Sequence, residues 1–324
     1  MGQSSNADVR WGIIGCGDVT EVKSGPAFGK IEGSALVNVM RRDGAKAADY
    51  ARRHGVPRWT ADADTLIGDP DVTAVYVATP PSTHADYAIR ALEAGKDVLV
   101  EKPMALTLEA CDRMAAAARE TGQKLCVSYY RRAVPRFERL REIIQGGEIG
   151  VPRAIEVRHF RPADEFPAQA WKLDPSVGGG GIFADVHTHT LDWLSYVFGP
   201  PVAARGLAKR QAGLYAAEDL VAFLLDFGDL PAVGICAYAT DQHDEAVTVH
   251  GSAGMVSMGA FRKAPIRLTR GGVTEEIEIA DPPHIHQPLI ERVVAHFRGL
   301  GENPCGPEAG RLGVELVGKI YEGI

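Results

Sequence analysis

No two cysteines in this chain form a C-x-x-C pair. Cys16, Cys111, Cys126, Cys236 and Cys305 are scattered and odd in number. That excludes a zinc ribbon and a disulfide framework, and it fits a reducing compartment. The chain also lacks an apolar run of the ~18 residues that a membrane span needs. It has no long basic run and no interleaving of basic and aromatic residues, and its formal charge is −7, which argues against nucleic acid as a main partner. The opening M-G-Q-S-S-N has no apolar signal region, and Asn6 stands where a myristoylation signal takes Ser or Thr. No internal repeat or low-complexity linker occurs. The expectation is a cytoplasmic protein with a small-molecule partner and no membrane association.

What is present favours two domains: 324 residues, 45% hydrophobic and 24% charged. The most informative stretch is R-W-G-I-I-G-C-G-D-V-T, residues 10–20. Its apolar run leads into a Gly-x-Gly turn. Gly15 allows backbone angles that a Cβ would forbid, and Gly17 removes the side chain where a pyrophosphate would approach. The helix expected from Asp18 and Val19 offers unpaired N–H groups to that anion. Thr20 replaces the third small residue of the fingerprint, which implies slightly looser helix–strand packing. Strands are expected at 35–40, 72–78 and 97–100. Helices are expected at 44–54 (closed by Gly55), at 82–94 with Ser82 as N-cap, and at 107–121. Strands alternating with helices imply a parallel sheet covered on both faces, the context a dinucleotide-binding turn requires.

Three further stretches fall at strand ends. Arg41-Arg42 stands where an acid would grip the adenosine ribose, and two guanidiniums suit a 2′-phosphate, so NADP is preferred to NAD. A solvated basic pair beside Asp43 is the bland alternative. Thr79-Pro80-Pro81 could wall a nicotinamide, or be a rigid turn; His84 alone reads as structural. Glu101-Lys102-Pro103 places an ammonium where it could polarise a carbonyl or steady an alkoxide. Taken alone, it would be a Glu–Lys surface pair.

Near Lys124 the alternation is expected to stop, with 127–132 linking the halves. A helix at 135–145 follows, then strands at 154–160, 202–209, 220–227, 233–239, 246–250 and 275–279. These form a largely antiparallel sheet with one face free for packing. Helices at 287–299 and 308–321 are expected to return beside the first domain. Gly178 to Gly181 reads as a flexible loop entering a helix on which Asp185 and His189, four apart, share a face. There a carboxylate could orient an imidazole for proton transfer. His187 makes an H-x-H pair with His189, and His284/His286 repeat it. A metal site is not expected, since the pairs lie inside a nicotinamide-enzyme pattern. Tyr130 and Arg131, Trp171 and Lys172, and His187 are the candidate substrate contacts; the first four could equally be core and surface.

Together these pieces resemble the glucose–fructose oxidoreductase / inositol dehydrogenase / MocA (Gfo/Idh/MocA) family. The resemblance rests on Gly15-Cys16-Gly17, on Val75-Tyr76-Val77-Ala78-Thr79-Pro80-Pro81 with His84, and above all on Val98-Leu99-Val100-Glu101-Lys102-Pro103. It continues in Trp171-Lys172, Gly178-Gly179-Gly180 and Asp185-Val186-His187-Thr188-His189. It implies an α/β protein with a Rossmann NAD(P)-binding domain at 1–125 and a substrate-binding and oligomerisation domain at 126–324 carrying a mostly antiparallel open sheet. The active site would lie in the cleft between them. It also implies reversible oxidation of a hydroxyl on a sugar, cyclitol or related diol. Lys102 corresponds to the catalytic lysine, Asp185 and His189 to the D-x-x-x-H motif, and the sheet face to a homodimer or homotetramer interface; His84, Glu101 and Lys102 count among the expected cofactor contacts. Thr20, Arg41 and His187 depart from the family pattern. Which of Lys102 and His189 is the primary acid/base stays open. So do redox-assisted glycoside cleavage with tightly held NAD, and a non-catalytic dinucleotide sensor.

Overall fold

Strand β1 (Val9–Ile14) is almost wholly enclosed: Trp11, Ile13 and Ile14 have no exposed surface. A strand buried on both faces belongs in the middle of a parallel sheet. In the computed structural model, which describes residues 8–163 and 170–323, that is its place. Residues 1–6, read above for targeting signals, lie outside the described residues. The chain divides into two units, Met1–Val134 with Pro282–Arg311, and Pro135–Asp281 with Leu312–Ile324. Among the described residues no helix is long and apolar enough to cross a membrane.

The first unit runs β1, α1 (Asp18–Val22), α2 (Gly25–Phe28), β2 (Ser34–Met40), α3 (Gly44–His54), β3 (Arg58–Thr60), α4 (Ala63–Ile67), β4 (Ala74–Val77), α5 (His84–Glu93), β5 (Asp97–Val100), α6 (Leu108–Thr121) and β6 (Leu125–Val127). Its six strands pair in parallel in the order β3-β2-β1-β4-β5-β6. Strand order reverses between β1 and β4, so a crevice opens there beyond the carboxyl ends of the strands. Caps explain the best-defined helices. The Asp43 side chain accepts from the Lys46 N–H at the start of α3, and Gly55 ends it at φ +66°. Thr107 and Gly122 do the same for α6.

Several expectations are corrected. The alternation does not stop near Lys124, because β6 pairs with β5 as the sixth strand. At three residues it is too short to show a period of its own, and Val127 N–H also donates to Cys305 O at 2.9 Å. Ser82 does not cap α5: a 3-10 turn at Pro81–Thr83 comes first, and the helix begins at His84. The helix after the glycine turn is two short pieces. There Thr20 is fully buried, and its carbonyl accepts the Tyr50 hydroxyl at 2.8 Å.

The second unit runs α7 (Pro135–Gln145), β7 (Pro152–Pro162), α8 (Pro175–Gly178), α9 (Ile182–Phe198), β8 (Ala203–Lys209), β9 (Leu220–Asp226), β10 (Pro231–Thr240), β11 (Asp244–Gly251), β12 (Gly254–Met258), β13 (Ile266–Arg270) and β14 (Val273–Ile277). Its sheet has eight strands, two more than expected, in the order β14-β13-β12-β11-β7-β10-β9-β8. Only β7 and β10 are parallel. β13 does alternate, with Ile266 and Leu268 buried, but five residues give a weak period. Gly178 to Gly181 is a packed turn rather than a flexible loop. A Cβ on Gly180 would lie 2.6 Å from the Tyr321 hydroxyl, and one on Gly181 2.8 Å from the Glu218 carbonyl.

Helix α10 (Gln287–Phe297) belongs to the first unit, and the unit boundary falls within α11 (Pro307–Tyr321). Leu289, Ile290, Val293, Val294 and Phe297 join Trp11, Phe28 and Tyr76 in one core. Each such side chain contributes roughly 1.5–3 kcal/mol.

Glu21, in α1, takes two hydrogen bonds from Arg53, at 2.7 and 2.8 Å, and lies 2.9 Å from His54, both in α3. Chiefly through Arg53, its pKa is lowered from 4.5 to about 2. A depressed carboxylate stabilises the fold above its unfolded value, and that contribution is lost as pH falls through the folded one. Because the pair is partly exposed, its worth is below ~1 kcal/mol. Glu21→Gln is expected to lower the neutral-pH melting temperature by less than roughly 2–4 °C, with the gap to wild type closing between pH 4.5 and 2. A constant gap across that window in thermal melts would contradict this.

Candidate active site

Gly15 sits at φ +95°, and a Cβ there would lie 2.8 Å from Thr79 Cγ2 and 2.9 Å from the Ala78 backbone. The turns after β1 and β4 are therefore in contact, on the terms the glycine sets. The Gly15 and Cys16 N–H groups both donate to Met40 O, at 2.9 and 3.1 Å, which brings in the end of β2. There the Arg41 guanidinium donates to Cys16 O at 3.2 Å, while Arg42 is exposed. Asp43 is occupied in capping α3. Cys16 itself is core; burial raises its thiol to about 11.

Gly17 differs from Gly15. Its backbone is extended, and a Cβ would meet only Gly15 O, at 3.8 Å. Among the described residues nothing else comes within 4 Å of that point, at the N-terminus of α1 beside Asp18 and Val19. The residues present therefore fit a pyrophosphate at this turn, with backbone N–H groups as donors.

Thr79 and Pro80 are half-buried and Pro81 is buried. His84 is fully buried and bridges this turn to the next strand end, with Nε2 2.7 Å from Thr79 O and Nδ1 2.9 Å from Pro103 O. Burial lowers its pKa against the pull of the two carbonyls. It holds two loops at a fixed spacing. Glu101 is not half of a surface pair: it is 7% exposed and accepts the Tyr76 hydroxyl at 2.5 Å, with Lys102 next to it half-buried. Tyr130 is half-buried and stacks on His286, with ring centroids 4.5 Å apart, and Arg131 is buried.

In the second unit Asp185, His187 and His189 all lie on α9. The Asp185 carboxylate pairs with Lys172 Nζ at 3.1 Å, and that ammonium lies 5.6 Å from the Trp171 ring centroid. Lys172, expected as a substrate contact, thus meets Asp185, the acid expected to orient His189. His189 is 4% exposed. His187 is enclosed at 1%, with His159 Nδ1 2.9 Å and Cys236 Sγ 3.2 Å from its Nε2. Its ring also stacks on Phe183, at 5.1 Å. Glu218 holds the start of α9, its two oxygens accepting from Gly181 N–H at 2.9 and 3.0 Å and from the Tyr321 hydroxyl at 2.5 Å. Among the described residues no group of three or more His, Cys, Asp or Glu is arranged to hold a metal ion.

The roles of Glu218, His159 and His286 are not legible in the sequence. Each acts across a long stretch of chain, and none carries a local signal.

Two family descriptions match this chain: "Oxidoreductase family, NAD-binding Rossmann fold" over residues 9–129, and "GFO/IDH/MocA C-terminal domain" over residues 137–257. Oxidoreductase P35 of Formosa agariphila is 35% identical over 93% of this chain and 94% of its own. The scyllo-inositol 2-dehydrogenase (NAD(+)) of Bacillus subtilis is 30% identical over 80% and 76%. Among solved structures, the aldose-aldose oxidoreductase of Caulobacter crescentus, complexed with glycerol, superposes with TM-score 0.87 and 26% identity over 97% of both chains.

Gly15→Ala is expected to cost about 1–3 kcal/mol through backbone strain. Gly17→Ala, free of strain, should keep the wild-type melting temperature and lose at least ~10-fold in dinucleotide affinity. Wild-type binding by Gly17→Ala in an NADPH fluorescence titration would remove the pyrophosphate from this turn.

Proposed function

The chain belongs to the Gfo/Idh/MocA family of NAD(P)-dependent oxidoreductases, and from that premise we propose that it moves a hydride between the nicotinamide and a hydroxyl-bearing carbon of a sugar, cyclitol or related diol. The observation that carries this reading is the meeting of three turns at one sheet edge: Gly15–Gly17 after β1, Thr79–Pro81 after β4 and Glu101–Lys102 after β5. When bound, the nicotinamide supplies the hydride acceptor or donor. Gly15, Gly17, Asp18 and Val19 hold the pyrophosphate, and Thr79, Pro80 and Pro81 wall the ring. His84 and Glu101 keep those turns in place. Arg41, steadied on Cys16 O, takes a 2′-phosphate with Arg42, which supports a preference for NADP over NAD.

In the oxidising direction His189 takes the hydroxyl proton and Lys102 steadies the alkoxide oxygen with its ammonium; reduction reverses both steps. Asp185, with Lys172 beside it, supplies negative charge on the face of α9 that carries His189. Tyr130, Arg131, Trp171 and Lys172 line the substrate side, and His187, enclosed among rings, seats α9. Functionally, residues 1–125 bind the cofactor and 126–324 serve substrate binding and assembly. The protein is assigned to the cytoplasm.

Assembly is assigned to the outer face of the second unit's sheet. Leu224, Val233 and Ile235 are exposed by 44%, 51% and 44%, and Leu224 pairs with Val233 across β9 and β10. A contiguous apolar face of this kind is normally covered, and a second copy is the occupant this reading names, as a homodimer or homotetramer.

Turnover is tested by NADPH fluorescence against sugars, cyclitols and aromatic diols, with NADP and NAD in parallel. Lys102→Met should bind the dinucleotide normally and lose at least ~100-fold in turnover; near-normal turnover would remove Lys102 from the mechanism. Leu224→Asp with Ile235→Asp should yield folded monomers in sedimentation, whereas an unchanged wild-type oligomer would place the interface elsewhere.

A further inference from the structure

The helix that carries Asp185, His187 and His189 begins without a cap of its own. Its N-cap is Gly181, which has no side chain to offer. Three residues on, where the acid of a capping box would reach back to the N-cap N–H, stands Ala184. The missing carboxylate comes from the loop between β8 and β9. Both oxygens of Glu218 accept from the Gly181 N–H, at 2.9 and 3.0 Å, and Oε1 also accepts the Tyr321 hydroxyl at 2.5 Å. Glycine is what permits this approach, since a Cβ on Gly181 would lie 2.8 Å from Glu218 O and 2.9 Å from Oε1. On its other side Gly181 O accepts the Asp185 N–H at 3.1 Å, the first bond inside the helix. One residue thus passes the hold of Glu218 directly to Asp185, whose carboxylate meets Lys172 Nζ at 3.1 Å.

The loop that presents Glu218 is itself fixed. Asp219 is buried, and its carboxylate accepts from the Gln211, Ala212 and Gly213 N–H groups at 2.6, 2.8 and 3.0 Å. Its backbone is tied on both sides: the N–H donates to Lys209 O at 3.0 Å, and the carbonyl accepts from Tyr238 N–H at 2.8 Å. Glu218 therefore reaches Gly181 from a rigid base. Burial raises the Glu218 carboxyl above its ordinary value, with Asp219 adding to the rise, while the hydrogen bonds from Tyr321 and Gly181 oppose it. A carboxylate taken from water is offset by the bonds it accepts. At the N-terminus of a 17-residue helix it also meets the positive end of the dipole.

We propose that Glu218 is the positioning residue of α9: from outside the helix it fixes the Gly181 N–H, and through Gly181 it sets the first turn, on which Asp185 meets Lys172 and from which His189 follows one turn later. The catalytic meaning of that placement rests on the proposed function; the seating of the helix does not.

The test uses the full chain and begins without substrate. Deuterium uptake is followed by mass spectrometry in peptides covering the first turn of α9, its last two turns, and β9. In Glu218→Ala the Gly181 and Asp185 amides should exchange ~10-fold faster, with the other two peptides unchanged. Tyr321→Phe leaves the carboxylate and both of its Gly181 contacts, and its first turn should stay within ~3-fold of wild type. Should Glu218→Ala fail to fold, Gly181→Ala takes its place with the same expectation, since the added Cβ displaces the same carboxylate. Unchanged exchange in the first turn, an equal rise in all three peptides, or an equal rise in Tyr321→Phe overturns the proposal. With a sugar or cyclitol that the wild type turns over, the same variant should lose at least ~10-fold in kcat while its NADPH affinity stays within ~2-fold. A loosened first turn with wild-type turnover overturns the positioning role if His189→Ala is inactive. If His189→Ala is active as well, the seating of the helix stands and the catalytic reading of His189 ends.

Discussion

The constraint on which the first unit's binding edge depends is the missing side chain at Gly15. With φ at +95° and Thr79 and Ala78 less than 3 Å from where a Cβ would stand, the turn after β1 can close only as glycine. That closure sends the Gly15 and Cys16 N–H groups to Met40 O, so the end of β2 is bound to the same turn. His84 then joins the turn after β4 to the one after β5 through two carbonyls. Four strand ends are linked through backbone groups and one buried imidazole. The open position at Gly17 is thus framed by backbone, which is rigid, rather than by long side chains, which are not.

Elements whose ends are fixed by local chemistry could be read from the sequence. Asp43 and Gly55 bracket α3, Pro135 opens α7, and Thr107 and Gly122 bracket α6; each is a cap acting within a few residues. Elements completed by distant partners were not legible. β6 is three residues long and draws on Cys305 and Asn303, and β12 and β13 form hairpins whose strands are each too short to establish a period. Ser82 has the right type for an N-cap, but Pro81 imposes a 3-10 turn first.

The same distinction governs the candidate site. Gly15, Thr79 and Lys102 could be placed at strand ends because the strands announce themselves. The pairing of Asp185 with Lys172 could not, since Lys172 lies on a separate turn. The glycine run before α9 illustrates how composition misleads. Four glycines read as slack, yet Tyr321 and Ala184 crowd Gly180 and Glu218 crowds Gly181, so those two are small because there is no room. His187 is a comparable case, a polar residue enclosed by Phe183, His159 and Cys236 on the helix that carries His189.

The return of residues 282–311 to the first unit has a consequence for how the polypeptide is made. Trp11 stands against Phe297, ring centroids 5.5 Å apart, and α10 supplies five members of the core around β1. A ribosome that has delivered all six strands of that sheet has still not delivered the helix that seals it. The nucleotide-binding half therefore waits, with an apolar flank uncovered, until the intervening unit has been synthesised. Its completion is among the last events of the protein's birth, although its sequence comes first.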